Sequence, residues 1–152
     1  MGPVFERAQN IRGFQIASPS LMGIRCVKSS FSMIKDAGID VIAQKAATGT
    51  QMMIDLYDAW LAPLGFELNT SRDSKERGGH ISLVHPDAAQ ICVAMREISN
   101  VIPDYRTPNS IRLAISPLPT SYVEVWDGFA RMRDLVASGQ YKTIKEGGSR
   151  VT

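Results

Sequence analysis

Few side chains in this sequence stand at spacings that do chemistry unaided. His80 and His85 are its two histidines, and they bracket a run, His80-Ile81-Ser82-Leu83-Val84-His85, that reads as a strand ended by Pro86. Side chains alternate along a strand, so the two imidazoles point to opposite faces and do not converge on one ion. No cysteine or carboxylate completes a set at zinc-like spacing, and no metal site is expected. His80 and Ser82 share a face, where a structural hydrogen bond to the neighbouring loop is the expected role. The nucleophile elbow Gly-x-Ser-x-Gly is absent, as are Walker-type and dinucleotide glycine patterns; Gly78-Gly79 is a lone pair in a loop. Cys26 and Cys92 both sit in apolar runs, lack the basic, exposed setting that favours a thiolate, and read as small buried hydrophobes in a reducing compartment.

Arg112 stands apart. It interrupts the apolar strand Ile111-Arg112-Leu113-Ala114-Ile115. A buried guanidinium is costly without an anion, and its planar fork suits a carboxylate bidentately. The alternative is an arginine on the solvent face of an edge strand, which alternation also allows, because Ile111, Leu113 and Ile115 share the opposite face. The two readings balance on sequence physics.

The elements that must position these residues follow from periodicity and punctuation. Residues 1–27 are broken by Gly2, Pro3, Gly13, Pro19 and Gly23 and read as an irregular arm or remnant. Ser29 or Ser30 caps a helix through Phe31, Ile34 and Ala37 that stops at Gly38, and Ile39 to Ala46 adds a turn or two. From Gln51 to Leu64, the residues Met52, Met53, Leu56, Tyr57, Trp60, Leu61 and Leu64 make one apolar helical stripe, ended by Pro63-Leu64-Gly65. This stripe reads as a helix face packed on a sheet, in preference to a methionine-rich partner groove. Phe66-Glu67-Leu68 is a short strand, and Asn69 to Gly79 is a mixed-charge loop with no phosphate-binding pattern. Asp87 starts a helix with Ala88, Ile91, Cys92, Met95 and Ile98 inward. Val101-Ile102 and Ile111 to Ile115 are the last strands, separated by a turn-rich segment from Pro103 to Asn109. Ser121-Tyr122-Val123-Glu124 is a capping box opening a helix that buries Val125, Trp126, Phe129, Met132 and Leu135 and ends at Ser138-Gly139. The tail from Gly147 to Thr152 reads as frayed, leaving 28–146 as the folded domain. The predicted class is α+β, a sheet of about four strands covered by helices on one face.

Composition narrows the function classes. The chain has 152 residues, and 17 Lys+Arg against 15 Asp+Glu leave a formal charge of +2, too small to imply a nucleic-acid partner. At 44% hydrophobic it is not a disordered chain. No stretch approaches the roughly 20 apolar residues of a bilayer helix, so no membrane partner is expected. The N-terminus lacks the apolar core of a secretion signal, and Glu6 stands where a myristoylation motif needs Ser or Thr, which points to the cytoplasm.

Four segments, in order, then resemble one family. Arg77-Gly78-Gly79-His80-Ile81-Ser82-Leu83-Val84-His85-Pro86-Asp87 is similar to the Arg-Gly-Ser-His-Val-Ser-x-x-His-Pro-Glu segment of kynureninases. Val101-Ile102-Pro103-Asp104-Tyr105-Arg106-Thr107-Pro108 resembles their Val-Ile-Gly-Asp-Tyr/Phe-Arg-x-Pro. Ile111 to Leu118 resembles Arg-Phe-Gly-Phe-x-Pro-Leu-Tyr, and Glu124-Val125-Trp126-Asp127 the family's Val-Trp-Asp helix. Gly38-Ile39-Asp40-Val41 fits its Gly-Leu-Asp segment, and the likeness covers roughly residues 23–140. It implies the C-terminal small domain of an aspartate-aminotransferase-type fold. It also implies a homodimeric pyridoxal-phosphate enzyme that hydrolyses L-kynurenine or 3-hydroxykynurenine to an anthranilate and L-alanine. In that family the arginine matched by Arg112 binds the substrate α-carboxylate.

The departures are equally specific. The family's cofactor-bearing lysine and the aspartate that pairs with the pyridine nitrogen belong to a large domain upstream of anything matched here, and Lys28 lies in no such motif. A Gly-Thr-x-Pro stretch, whose threonine reaches the cofactor phosphate of the neighbouring subunit, is replaced by the shorter Arg25-Cys26-Val27-Lys28-Ser29-Ser30-Phe31, where Ser29 and Ser30 are the candidate substitutes. Leu118-Pro119 stands in place of Leu-Tyr. A domain without the lysine holds no cofactor covalently and is inactive alone. The resemblance therefore implies a part that works with a kynureninase large domain or full-length subunit, as a homodimer or heteromer. The second expectation is a catalytically dead small domain kept as a binding or interaction module.

Overall fold

The computed structural model describes residues 6–15 and 17–144, so the expected frayed tail at 147–152 lies outside the described residues. The chain forms two compact units that meet in sequence at Ile39 and Asp40.

In the first unit a short turn of helix at Asn10–Phe14 precedes α1, Leu21–Ala37. The helix begins well before the expected cap. Ser20 is the N-cap, its hydroxyl accepting from the Gly23 N–H at 3.1 Å. Ser29 and Ser30 are mid-helix and cap nothing. Gly38 ends α1 as expected, at φ 83°, a conformation glycine adopts without steric cost. No residue of α1 is buried, and Cys26 is exposed, which corrects its reading as a buried hydrophobe.

The second unit opens with α2, Ile39–Leu56, a single helix where two were expected. The helix runs straight through Thr48-Gly49-Thr50, which lie between the two expected segments. Thr50 returns its hydroxyl to the Ala46 carbonyl at 2.9 Å, and Gly49 is buried where even a Cβ would stand 2.6 Å from Ile115 Cδ1. The helix loosens into one wide turn at Tyr57–Leu61 and a tight one at Ala62–Leu64, then stops at left-handed Gly65, φ 88°. The predicted stripe is inward: Met53, Leu56, Tyr57 and Leu61 are buried, joined by Ile54.

The strands β1 (Glu67–Leu68), β2 (His80–Val84), β3 (Asp104–Arg106) and β4 (Ser110–Ala114) form one antiparallel sheet in the order β1-β2-β4-β3. Alternation sorts its faces: Ile81, Leu83, Ile111 and Leu113 are buried, whereas Ser82, Ser110 and Arg112 lie on the open side. Helix α3 (Ala88–Glu97) packs on β4, and α4 (Tyr122–Ala137) packs on α3, covering the apolar face. The capping box is complete: the Ser121 hydroxyl accepts from Glu124 N–H, and the Glu124 carboxylate accepts from Ser121 N–H at 2.7 Å.

Two strand-level expectations need correction. Val101-Ile102 is not a strand: Val101 N–H closes the end of α3 on the Met95 carbonyl at 2.9 Å, Ile102 is exposed, and Pro103 has no N–H to give a ladder. The pairing strand is Asp104–Arg106, inside the segment that reads as a turn. Trp126 is also not buried; it stands 46% exposed with its ring edge-on to Trp60, centroids 5.5 Å apart, while Arg133 lies over the Trp60 ring.

Candidate carboxylate-binding site

Arg112 is on β4, which lies between β2 and β3, so it is not on an edge strand. Its side chain rises from the open face. Cross-strand register sets its neighbours: Ser82 is opposite on β2 and Asp104 opposite on β3. Arg112 Nη2 makes an ion pair with Asp104 Oδ2. The same oxygen accepts from Arg106, through Nε at 3.0 Å and Nη2 at 2.8 Å. The three side chains remain 38%, 41% and 56% exposed for Arg112, Asp104 and Arg106, so the cluster is open to a ligand. Desolvation pushes the Asp104 carboxyl up, but hydrogen bonds and charge from Arg106 and then Arg112 outweigh it and leave the group below the usual carboxylate range. Two guanidinium groups against one carboxylate leave this three-residue cluster with a surplus positive charge, as an anion site requires.

The other sequence candidates fall elsewhere. Ser29 and Ser30 are on α1 in the first unit and exposed; the Ser30 hydroxyl donates to the Cys26 carbonyl at 3.1 Å. For the phosphate of pyridoxal phosphate, which the family implies, these positions offer no backbone cradle, because mid-helix N–H groups are committed to the helix, and the Ser30 hydroxyl is already given to Cys26. His80 is exposed at the start of β2 and makes no side-chain hydrogen bond among the described residues. The link from this strand to the loop runs through Ser82 instead, whose N–H donates to Thr70 Oγ1 at 2.8 Å and whose carbonyl accepts from Asn69. His85 is buried against Phe66, and its Nδ1 accepts from Asp87 N–H at 3.0 Å, the geometry of a structural histidine. Burial lowers its pKa, against the opposing pull of Asp87 and the Leu64 carbonyl. Cys92 is buried as expected, which pushes its thiol up to about 12 and removes thiolate chemistry near neutral pH.

The mixed-charge loop is tied to α2 by residues that sequence reasoning left idle. Arg72 grips Asp58 with both Nη atoms at 2.8 and 2.7 Å. Arg77 donates to Thr50 Oγ1 at 3.0 Å, Gln51 Oε1 at 2.8 Å and the Arg72 carbonyl. A groove of about 410 Å³ lies along this seam, but its polar groups Gln51, Asp55 and Arg77 are spent on one another. Asp104 is the other residue missed. Its signal was a proline- and asparagine-bearing turn between two short alternating pieces, which in a hairpin brings 104 opposite 112.

Residues 42–132 match the family described as the kynureninase C-terminal domain. The chain is 40% identical over 142 residues to the kynureninase of Geobacillus thermodenitrificans, covering 93% of this chain and 33% of that protein. Kynureninases of Bacillus thuringiensis subsp. konkukian and Shouchella clausii are 35% and 34% identical over 138 residues, each match covering 91% of this chain and 32% of the relative. The chain thus spans about a third of the length of the curated relatives it matches. With Arg112 on an inner strand of a helix-backed antiparallel sheet and the matched segment covering that whole sheet, the chain belongs to the kynureninase family, and the part it matches is that family's C-terminal domain.

Proposed function

We propose that this chain is the carboxylate-binding part of a kynureninase-type hydrolase working in the cytoplasm. The reaction takes L-kynurenine or 3-hydroxykynurenine and water to anthranilate or 3-hydroxyanthranilate and L-alanine, a step of tryptophan degradation and NAD biosynthesis. Arg112 anchors the α-carboxylate of the amino-acid substrate. A kynureninase large domain or full-length subunit supplies the lysine and the pyridoxal phosphate, and this chain holds neither the cofactor covalently nor activity alone. The observation that carries the reading is the Arg112 guanidinium, presented half-exposed on the open sheet face. A planar guanidinium fork suits a carboxylate bidentately.

Borohydride reduction with pyridoxal phosphate, followed by mass mapping, tests it. The chain alone should give no specific adduct, whereas a mixture with a kynureninase large domain should trap the cofactor and release anthranilate. A single reduced adduct on one lysine of this chain would overturn the division of labour. The second reading, a catalytically dead domain kept as a binding module, is favoured by one observation: Arg112 already has an internal partner in Asp104. Soluble monomeric behaviour with silence in both trapping experiments would select it.

A further inference from the structure

Asp104 binds two arginines unequally. Arg106 reaches its Oδ2 through two nitrogens, Arg112 through one, and Asp104 Oδ1 makes no hydrogen bond among the described residues. Both arginines stand on the same sheet face, because Asp104 and Arg106 are two apart on β3 and Asp104 is in register with Arg112. We infer that Asp104 is an exchangeable internal counter-ion, which Arg112 releases to an incoming carboxylate while Arg106 retains it, making Asp104 and Arg106 affinity-setting residues of the anion site. The inference rests on the reading of Arg112 as a carboxylate anchor.

The physical case is that exchange leaves no charge stranded. A ligand carboxylate that displaces Asp104 from Arg112 leaves Asp104 still held by the two donors of Arg106. Arg112 meanwhile trades one single-nitrogen contact for a bidentate one. The partial exposure of all three groups makes the resident pair weak enough to give way, since exposed ion pairs contribute only modestly. An anion too weak to compete with Asp104 is turned away.

Titrating L-kynurenine into the full chain and following the heat of binding by calorimetry tests this. Removing the competitor with Asp104→Asn should tighten binding about two- to five-fold, the size expected from an exposed ion pair. Asp104→Ser must agree in sign. Arg106→Gln leaves Asp104 to Arg112 alone and should weaken binding by a similar factor. A merely structural Asp104 would make both changes weaken binding, and any result other than opposite signs overturns the inference. If Arg112→Ala leaves binding intact, or the unaltered chain shows no binding heat, the anchor reading falls as well; if Arg112→Ala abolishes binding and the opposite signs fail to appear, only the exchange does.

Discussion

At Arg112 a charge sits within an apolar strand because alternation places it opposite the core, with a carboxylate across the ladder to meet it. The substitution Arg112→Ala should lower anthranilate production in the mixed complex on the order of 10- to 100-fold in kcat/KM, the weight of a charge-assisted hydrogen-bonded contact. Arg112→Lys keeps the charge but not the fork, and should recover only part of that loss. His85 makes a different, pH-dependent contribution. Burial depresses its pKa below the ordinary 6.5, so the unfolded chain binds a proton more readily than the folded one. Stability from neutral His85 is therefore fully present above about pH 6.5 and is lost as pH falls below that value toward the folded pKa. The thermal midpoint should drop between pH 7 and 5, and His85→Gln should flatten that slope.

At the scale of elements, helix ends were legible because their chemistry is local. The Ser121–Glu124 box depends on four consecutive residues, and Ser121→Ala should cost about 0.5–2 kcal/mol, read as a lower urea midpoint at unchanged slope. Gly38, Gly65 and Gly139 stop helices for the same local reason. The Ser29-Ser30 start failed because serine also fits a helix interior by bonding back to a carbonyl four residues earlier, as Ser30 does to Cys26. Gly49 carries no local signal for the opposite reason, since its role is a long-range contact with Ile115. Gly49→Ala gains helix propensity but drives a methyl into Ile115, so a net loss of about 1 kcal/mol is expected from denaturant unfolding.

At the scale of the molecule, the buried core begins at Met53 and lies wholly within the unit that starts at Asp40. A chain starting at Asp40 should unfold in one cooperative transition with its near-ultraviolet dichroism retained; a non-cooperative melt would show that the core needs residues before 40. No helix among the described residues is long and apolar enough to cross a membrane.

Periodicity and punctuation in the sequence were enough for the α+β class, the α2 and α3 faces, most of the α4 face and the β2 and β4 strands, because each depends on neighbours within a few turns; the family came from resemblance of four short motifs. Alternation allowed an open face for Arg112 without choosing it over a buried, anion-paired arginine. Strand order was not legible. Whether β4 lies at an edge or between β2 and β3 depends on a three-residue strand, Asp104–Arg106, too short to announce itself before it pairs. That pairing alone brings Asp104 to Arg112 and so converts an unpaired charge into a partnered one. Tertiary structure decided the partner because hydrogen bonds across a sheet join residues that sequence distance keeps apart.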